Sequence, residues 1–171
     1  MRLRDSVSCD ELRFPVEMWL DPDAIIELPA VWPDSPPLPL IVYQVIIYTG
    51  ADSSNDTNFT VFLNIYGSKG DIGRRSLRNA AGTQPDSIFK PSNADTFELE
   101  AVSVQNIESI EIGLLEPKET SHWFVDRVQI LDSDGGRLYM FDVKSWFSAS
   151  KGNGSTQRRL STTRVTEAQE E

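Results

Sequence analysis

Between residues 41 and 147, apolar residues recur at every second position in a series of short runs. In FTVFLNIYG, Phe59, Val61, Leu63 and Ile65 share one face. Phe97, Leu99 and Ala101 are in phase in DTFELEAV, as are Ile110, Ile112 and Leu114 in IESIEIGLL. IVYQVIIYT, WFVDRVQIL and RLYMFDVKSWF are equally rich in β-branched and aromatic residues. A period of two residues puts alternate side chains on opposite faces of a strand. Each run has strand length and is bounded by a polar turn cluster. No window sustains a 3.6-residue period over three turns. Asp134-Gly135-Gly136 supplies the positive φ angles of a tight hairpin. Short antiparallel strands, each with one apolar face, predict an all-β sandwich or barrel.

The flanks read differently. Residues 11–20 form a short apolar-rich piece interrupted by Pro15. Residues 21–40 carry Pro22, Pro29, Pro33, Pro36, Pro37 and Pro39. Proline at that density removes amide donors and favours an extended, stiff connector. Residues 148–171 are Gly, Ser, Thr and charge with little to bury, which predicts a mobile tail or linker. The phrase Phe-x-Val-x-x-Trp occurs twice, from Phe14 in FPVEMWL and from Phe141 in FDVKSWF. An internal period makes residues 1–20 the closing strand of a preceding domain; chance coincidence is the other reading.

Composition narrows the function. The chain has 171 residues and a formal net charge of −10. Nucleic acid is excluded as a partner, because phosphate binding wants a basic face. A bare anionic membrane repels such a chain unless cations bridge the two. Cys9 is the single cysteine, so no internal disulfide is expected and a reducing compartment fits. The first residues, MRLRDSVSCDELRF, lack the apolar stretch of a signal peptide. The longest apolar run, LPLIVYQVIIY, is too short to span a bilayer.

Five phrases then fall in a telling order: YQVIIYTG, DTNFTVFLNIYGSKGDIGRRSL, DTFELEAVSVQNIESIEIG, HWFVDRVQILD and YMFDVKSWF. Together, over residues 42–147, they resemble a PLAT domain, also called a lipoxygenase homology domain. The second closing phrase upstream is most similar to tandem-PLAT proteins such as that of hair-cell stereocilia. The resemblance implies an antiparallel β-sandwich of two four-stranded sheets. It also implies a lipid-, membrane- or protein-binding module, often with calcium in the loops at one end. The expected organisation is a preceding repeat's strand (1–20), a Pro-rich linker (21–40), the PLAT domain (41–147) and a flexible tail (148–171).

Calcium needs several oxygen ligands from converging loops. Asp52, Asp56 and Asn58 lie in the first loop, GADSSNDTN, and Glu119 lies in EPKETS before Trp123. The resemblance implies an aspartate two residues after Ile-Gly, where this chain has Leu115, and another where it has Asn58. Calcium is therefore expected to bind weakly, and a solvated acidic loop is the plainer reading. Leu114 and Leu115 are candidates for membrane or partner contact, against inward packing. Arg74, Arg75 and Arg78 form the basic cluster, able to grip a carboxylate or lipid phosphate or simply to guard a sheet edge. Trp123 and Trp146 are assigned to the core. His122 is the only histidine, and no set of residues here suggests catalysis. Arg158-Arg159-Leu160-Ser161 resembles a basophilic kinase site at Ser161, accessible if the tail is mobile.

The expected function is a non-catalytic PLAT module of a tandem array. It would mediate protein interaction and scaffolding at a cytoplasmic, membrane-proximal site such as a stereocilium. Its partners would be membrane-proximal proteins and neighbouring PLAT repeats. The alternative is calcium-assisted attachment to lipid headgroups.

Overall fold

The computed structural model describes residues 2–14, 28, 30–31, 35–82, 84 and 87–167. The strands are β1 (Arg2–Arg4), β2 (Glu11–Arg13), β3 (Leu40–Thr49), β4 (Thr60–Gly67), β5 (Gly70–Asp71) and β6 (Arg75–Leu77). They continue with β7 (Ala94–Val102), β8 (Ile107–Leu115), β9 (Trp123–Asp132), β10 (Arg137–Phe147), β11 (Gln157–Ser161) and β12 (Arg164–Glu167).

Two antiparallel sheets carry the alternation. The first runs β12-β10-β9-β3-β7, and the second runs β11-β8-β4-β5 with β6 also paired to β4. Tyr43, Val45 and Ile47 point inward from β3 and meet Val61, Leu63 and Ile65 of β4 and Ile110 and Ile112 of β8 in one core. Burying such side chains contributes about 1.5–3 kcal/mol each. Tyr43 is fully buried, and its hydroxyl accepts a hydrogen bond from the Val104 amide at 2.9 Å. Burial raises its phenol above the usual range.

Two expectations about the strands are corrected. Each sheet has five strands rather than four. The additions come mainly from the segment read as a flexible tail. There, β11 pairs with β8 and β12 pairs with β10, so residues 157–167 clasp both sheets. The physical reason is packing across the sheet: Leu160 packs on the core from β11, and Gly113 makes room opposite Gln157. A Cβ at Gly113 would stand 2.8 Å from the Gln157 Cα and from the Thr156 carbonyl oxygen.

Trp146 is also corrected. It is half-buried, and Phe147 takes the core position. A bulge between Asp142 and Ser145 shifts the register of β10 against β9, with Lys144 at a φ of 42°. One extra residue changes which side chains face the core.

At the N-terminus, β1 and β2 form a small antiparallel hairpin. The Asp5 carboxylate accepts hydrogen bonds from the amides of Val7 (2.7 Å) and Ser8 (3.2 Å) in its turn, which lowers its pKa. Residues 15–20 of the first Phe-x-Val-x-x-Trp phrase, and residues 21–27, 29 and 32–34 of the connector, lie outside the described residues.

Candidate functional site

Four connections meet at one end of the sandwich: 50–59, the described residues 78–82, 84 and 87–93, 116–122 and 148–156. Beneath them lies an aromatic layer. Trp123 is fully buried, with ring centroids 5.1 Å from Phe89, 5.2 Å from Phe147 and 5.9 Å from Phe59. Its indole nitrogen donates to the Thr49 hydroxyl at 3.1 Å.

The first loop is laced to the start of β9. The Ser53 hydroxyl accepts from the Phe124 amide (2.7 Å) and donates to the Phe124 carbonyl (3.0 Å), while the Gly50 amide donates to that same carbonyl (2.8 Å). Glycine is required at position 50, because a Cβ there would lie 2.4 Å from the Phe124 ring. Lys90 reaches across from the second loop and donates to the Asn55 carbonyl at 2.7 Å.

The remaining loops are held by buried polar groups. Asp95 is 1% exposed, and its carboxylate accepts the Phe89 amide at 2.7 Å. That bond fixes Phe89 in a left-handed conformation, φ 59°, with its ring in the aromatic layer. Burial raises the Asp95 carboxyl above its usual value, against the lowering effect of the Phe89 amide. Ser148 is fully buried, and its hydroxyl oxygen accepts the amides of Ser150 and Lys151, both at 3.2 Å. The hydroxyl hydrogen is left to face Nδ1 of His122 at 2.7 Å. His122 is thereby a structural tie to the last loop. Lys151 lies over the Trp146 ring at 4.5 Å, and Trp146 meets Phe124 edge-on at 5.2 Å.

Between the first and third loops opens a cleft of about 270 Å³, lined by Thr57, Asn58, Phe59, Thr60, Leu115, Glu116 and Lys118. Asn58 and Leu115 are the sequence-proposed residues that it brings together. Asp56 is exposed, and its carboxylate accepts the Asn58 amide at 3.1 Å. Asp52 and Glu119 are exposed on separate loops. Among the described residues, no three Asp, Glu, His or Cys side chains converge as a metal-holding group. Leu114 is 5% exposed and belongs to the core, so its assignment to membrane or partner contact is corrected. Leu115 is half-buried at the cleft.

The arginines do not form one anion grip. Arg74 pairs with Glu111 at 2.8 Å and covers the Phe62 ring at 4.3 Å, and Arg75 donates to the Ile72 carbonyl at 3.0 Å. Arg78 is exposed. The kinase-like motif sits in a paired strand. Arg158 donates to the Trp146 carbonyl at 3.1 Å, Arg159 covers the Tyr66 ring at 3.8 Å, and Ser161 pairs with Ser109. The mobile setting expected around Ser161 is therefore absent.

Sequence reasoning did not find Lys90, Asp95 or Ser148. Asp95 had a usable signal: an acid at the head of an alternating strand, where its carboxylate can cap a preceding loop.

Two antiparallel sheets with four connections gathered at one end define a C2-like β-sandwich module. The PLAT/LH2 domain model matches residues 43–161, and the chain belongs to that family. Among curated proteins, it is 28% identical over 120 residues to Lipoxygenase homology domain-containing protein 1 of Mus musculus, and 27% identical to that of Homo sapiens. These matches cover 70% of this chain and 6% of each relative, so the chain spans a small fraction of their length. Among solved structures, it is similar to coral 8R-lipoxygenase, with a TM-score of 0.57 and 22% identity over 71% of this chain and 17% of that one. That enzyme is described as calcium-activated through a C2-like domain. A calcium-dependent 11R-lipoxygenase matches with a TM-score of 0.53 and 20% identity, over 71% of this chain and 17% of that one. At these identities the likeness shows the fold alone.

Proposed function

We propose that this chain is a non-catalytic PLAT module of a larger polypeptide, which docks proteins and serves as a scaffold. The cleft between the first and third loops carries this reading. Phe59 and Leu115 put two apolar side chains into a lining otherwise of Thr57, Asn58, Thr60, Glu116 and Lys118, and the Lys118 charge opposes a cation there. Lys90 already bridges the loop end through the Asn55 carbonyl. A mixed cleft with two apolar side chains, one acid and one lysine suits a protein segment better than a divalent cation, which wants several oxygen ligands. Membrane-proximal proteins and neighbouring PLAT repeats are the proposed partners, in the cytoplasm beneath a membrane such as that of a stereocilium.

The second reading is calcium-assisted lipid attachment. It is favoured by the calcium dependence of the two lipoxygenases whose fold this chain shares. Calcium titration calorimetry and co-sedimentation with phosphatidylserine vesicles separate the two. The first reading expects no saturable calcium binding below about 0.1 mM, the weak end of oxygen-ligand sites, and no calcium-dependent pelleting. A low-micromolar dissociation constant lost in Asp56→Ala, with calcium-dependent pelleting, would establish the second.

A further inference from the structure

An edge strand leaves the backbone groups of every second residue without a ladder partner, because alternate residues of an antiparallel strand face alternate neighbours. β7 is one edge of the first sheet and pairs with β3 alone. One bond shows which of its residues face outward: the Ala81 amide donates to the Thr96 carbonyl at 2.7 Å, from the side away from β3. The next two outward-facing residues along β7 are therefore Glu98 and Glu100. Both side chains are exposed, and among the described residues neither backbone has a partner on the outer side. Leu99, between them, opposes Tyr43 of β3.

The N-terminal hairpin carries the matching edge. β1 pairs with β2 alone, Arg2 opposite Arg13, Leu3 opposite Leu12 and Arg4 opposite Glu11. The Asp5 amide donates to the Asp10 carbonyl inside the hairpin, whereas Arg13 exchanges both of its backbone bonds with Val31 on the far side of β2. Leu3 is thus the residue bonded to Leu12, and the amides and carbonyls of Arg2 and Arg4 face outward. Arg2 lies 3.6 Å from Glu11 of its own hairpin, yet that side chain is 70% exposed. Arg4 is exposed too.

We infer that β1 of a second copy adds to the β7 edge as an antiparallel strand, each copy giving its hairpin to the other. The outward backbone groups meet in register when Arg2 stands opposite Glu100 and Arg4 opposite Glu98. Directly opposed residues share a face, so the same register sets two arginines beside two glutamates. It also sets Leu3, 56% exposed, opposite Leu99, which packs against the core from the inner face. A slip of one residue loses the backbone bonds, the charge pairs and the leucine pair together. Glutamates along an edge repel another acidic strand; an Arg-Leu-Arg strand answers them, and this chain carries one. Within one chain the two edges are not paired with each other. Residues 14–39 tether the hairpin to β3, and an extended chain covers about 3.3–3.6 Å per residue, so the hairpin can reach a neighbour. Reciprocal exchange closes the assembly at two copies. The contact lies along a sheet edge and goes beyond the reading of the loop-end cleft, on which it does not depend.

Sedimentation equilibrium of the full chain tests it, with circular dichroism to show that each variant folds. The wild type is expected to move from monomer toward dimer mass as its concentration rises to about 1 mM. Hydrogen exchange at the Glu98 and Glu100 amides should slow over the same range. Arg2→Glu with Arg4→Glu should weaken association at least about tenfold, equivalent to 1.4 kcal/mol. Glu98→Arg with Glu100→Arg should do the same, since each pair of substitutions sets like charges opposite one another. Mixing the two variants should restore the dimer, because each then meets a complementary edge on the other. Glu108→Arg, on the other sheet, should leave association unchanged. A wild type that stays at monomer mass at millimolar concentration would overturn the inference; protected Glu98 and Glu100 amides in that monomer would mean that the hairpin closes on its own chain instead. A dimer indifferent to both pairs of substitutions, or a mixture that remains monomeric, would overturn it equally.

Discussion

Trp123 and Trp146 sit in look-alike apolar phrases, yet their replacement by alanine should have unequal effects. Trp123 is fully buried against three aromatic rings and donates to Thr49, itself 2% exposed. Truncating a buried aromatic costs about 3–5 kcal/mol. A buried hydroxyl that loses its partner adds about 1–3 kcal/mol. Trp123→Ala should therefore remove most of a typical domain stability of about 5–15 kcal/mol. Trp146 is half-buried and makes one edge-on contact with Phe124 and one cation contact with Lys151. Those interactions are worth about 0.5–1.5 kcal/mol for the aromatic pair and about 0.5–1 kcal/mol for the cation. Trp146→Ala should cost about 1–2.5 kcal/mol on the same arithmetic. Urea unfolding at fixed pH gives both values from midpoint and slope. Equal losses, or a larger loss for Trp146, would show that the bulge at Lys144 is not where β10 changes phase.

Three further outcomes are expected. Gly113→Val should break the β8–β11 pairing, seen as lost hydrogen-exchange protection at residues 157–161 while β9 stays protected. Tyr43→Phe should cost about 1–3 kcal/mol, because it strands the buried Val104 amide; an unchanged urea midpoint would count against that bond. For Asp95, burial lifts the folded value above the ordinary carboxyl value of 3.8, so the native state binds the proton first. Its contribution to stability then rises as pH falls through the raised value and levels off below 3.8; Asp95→Asn should abolish that component in urea melts across pH.

The central strands were legible because alternation survives wherever one face is buried. Phe59 to Ile65 and Ile110 to Leu114 announce β4 and β8 directly. The last two strands were not legible, because β11 is short and one of its two inward positions is Arg158. Its place also depends on Gly113, more than forty residues earlier, which says nothing local about a neighbouring strand. The phase of Trp146 was hidden by a single inserted residue, since a bulge has no compositional mark here. At the loop end, the sequence identified the acids of the first loop but not the lysine that ties down that loop's backbone. Lys90 belongs to another loop, and only the closed sandwich brings it to Asn55.

The chain enters the first sheet at Leu40 and leaves it at Glu167, and both points lie at the end of the sandwich away from the four loops. The domain thus hangs from two handles at the same end of one sheet, with β10 and β9 between them. Tension along the polypeptide would pull β12 off β10 from its final residue, opening hydrogen bonds one after another rather than all at once. Such a domain yields early to force. β12 is exposed at all four residues and little apolar surface opens with it, so it could act as a slack element that lengthens and recloses while the loop end keeps its shape.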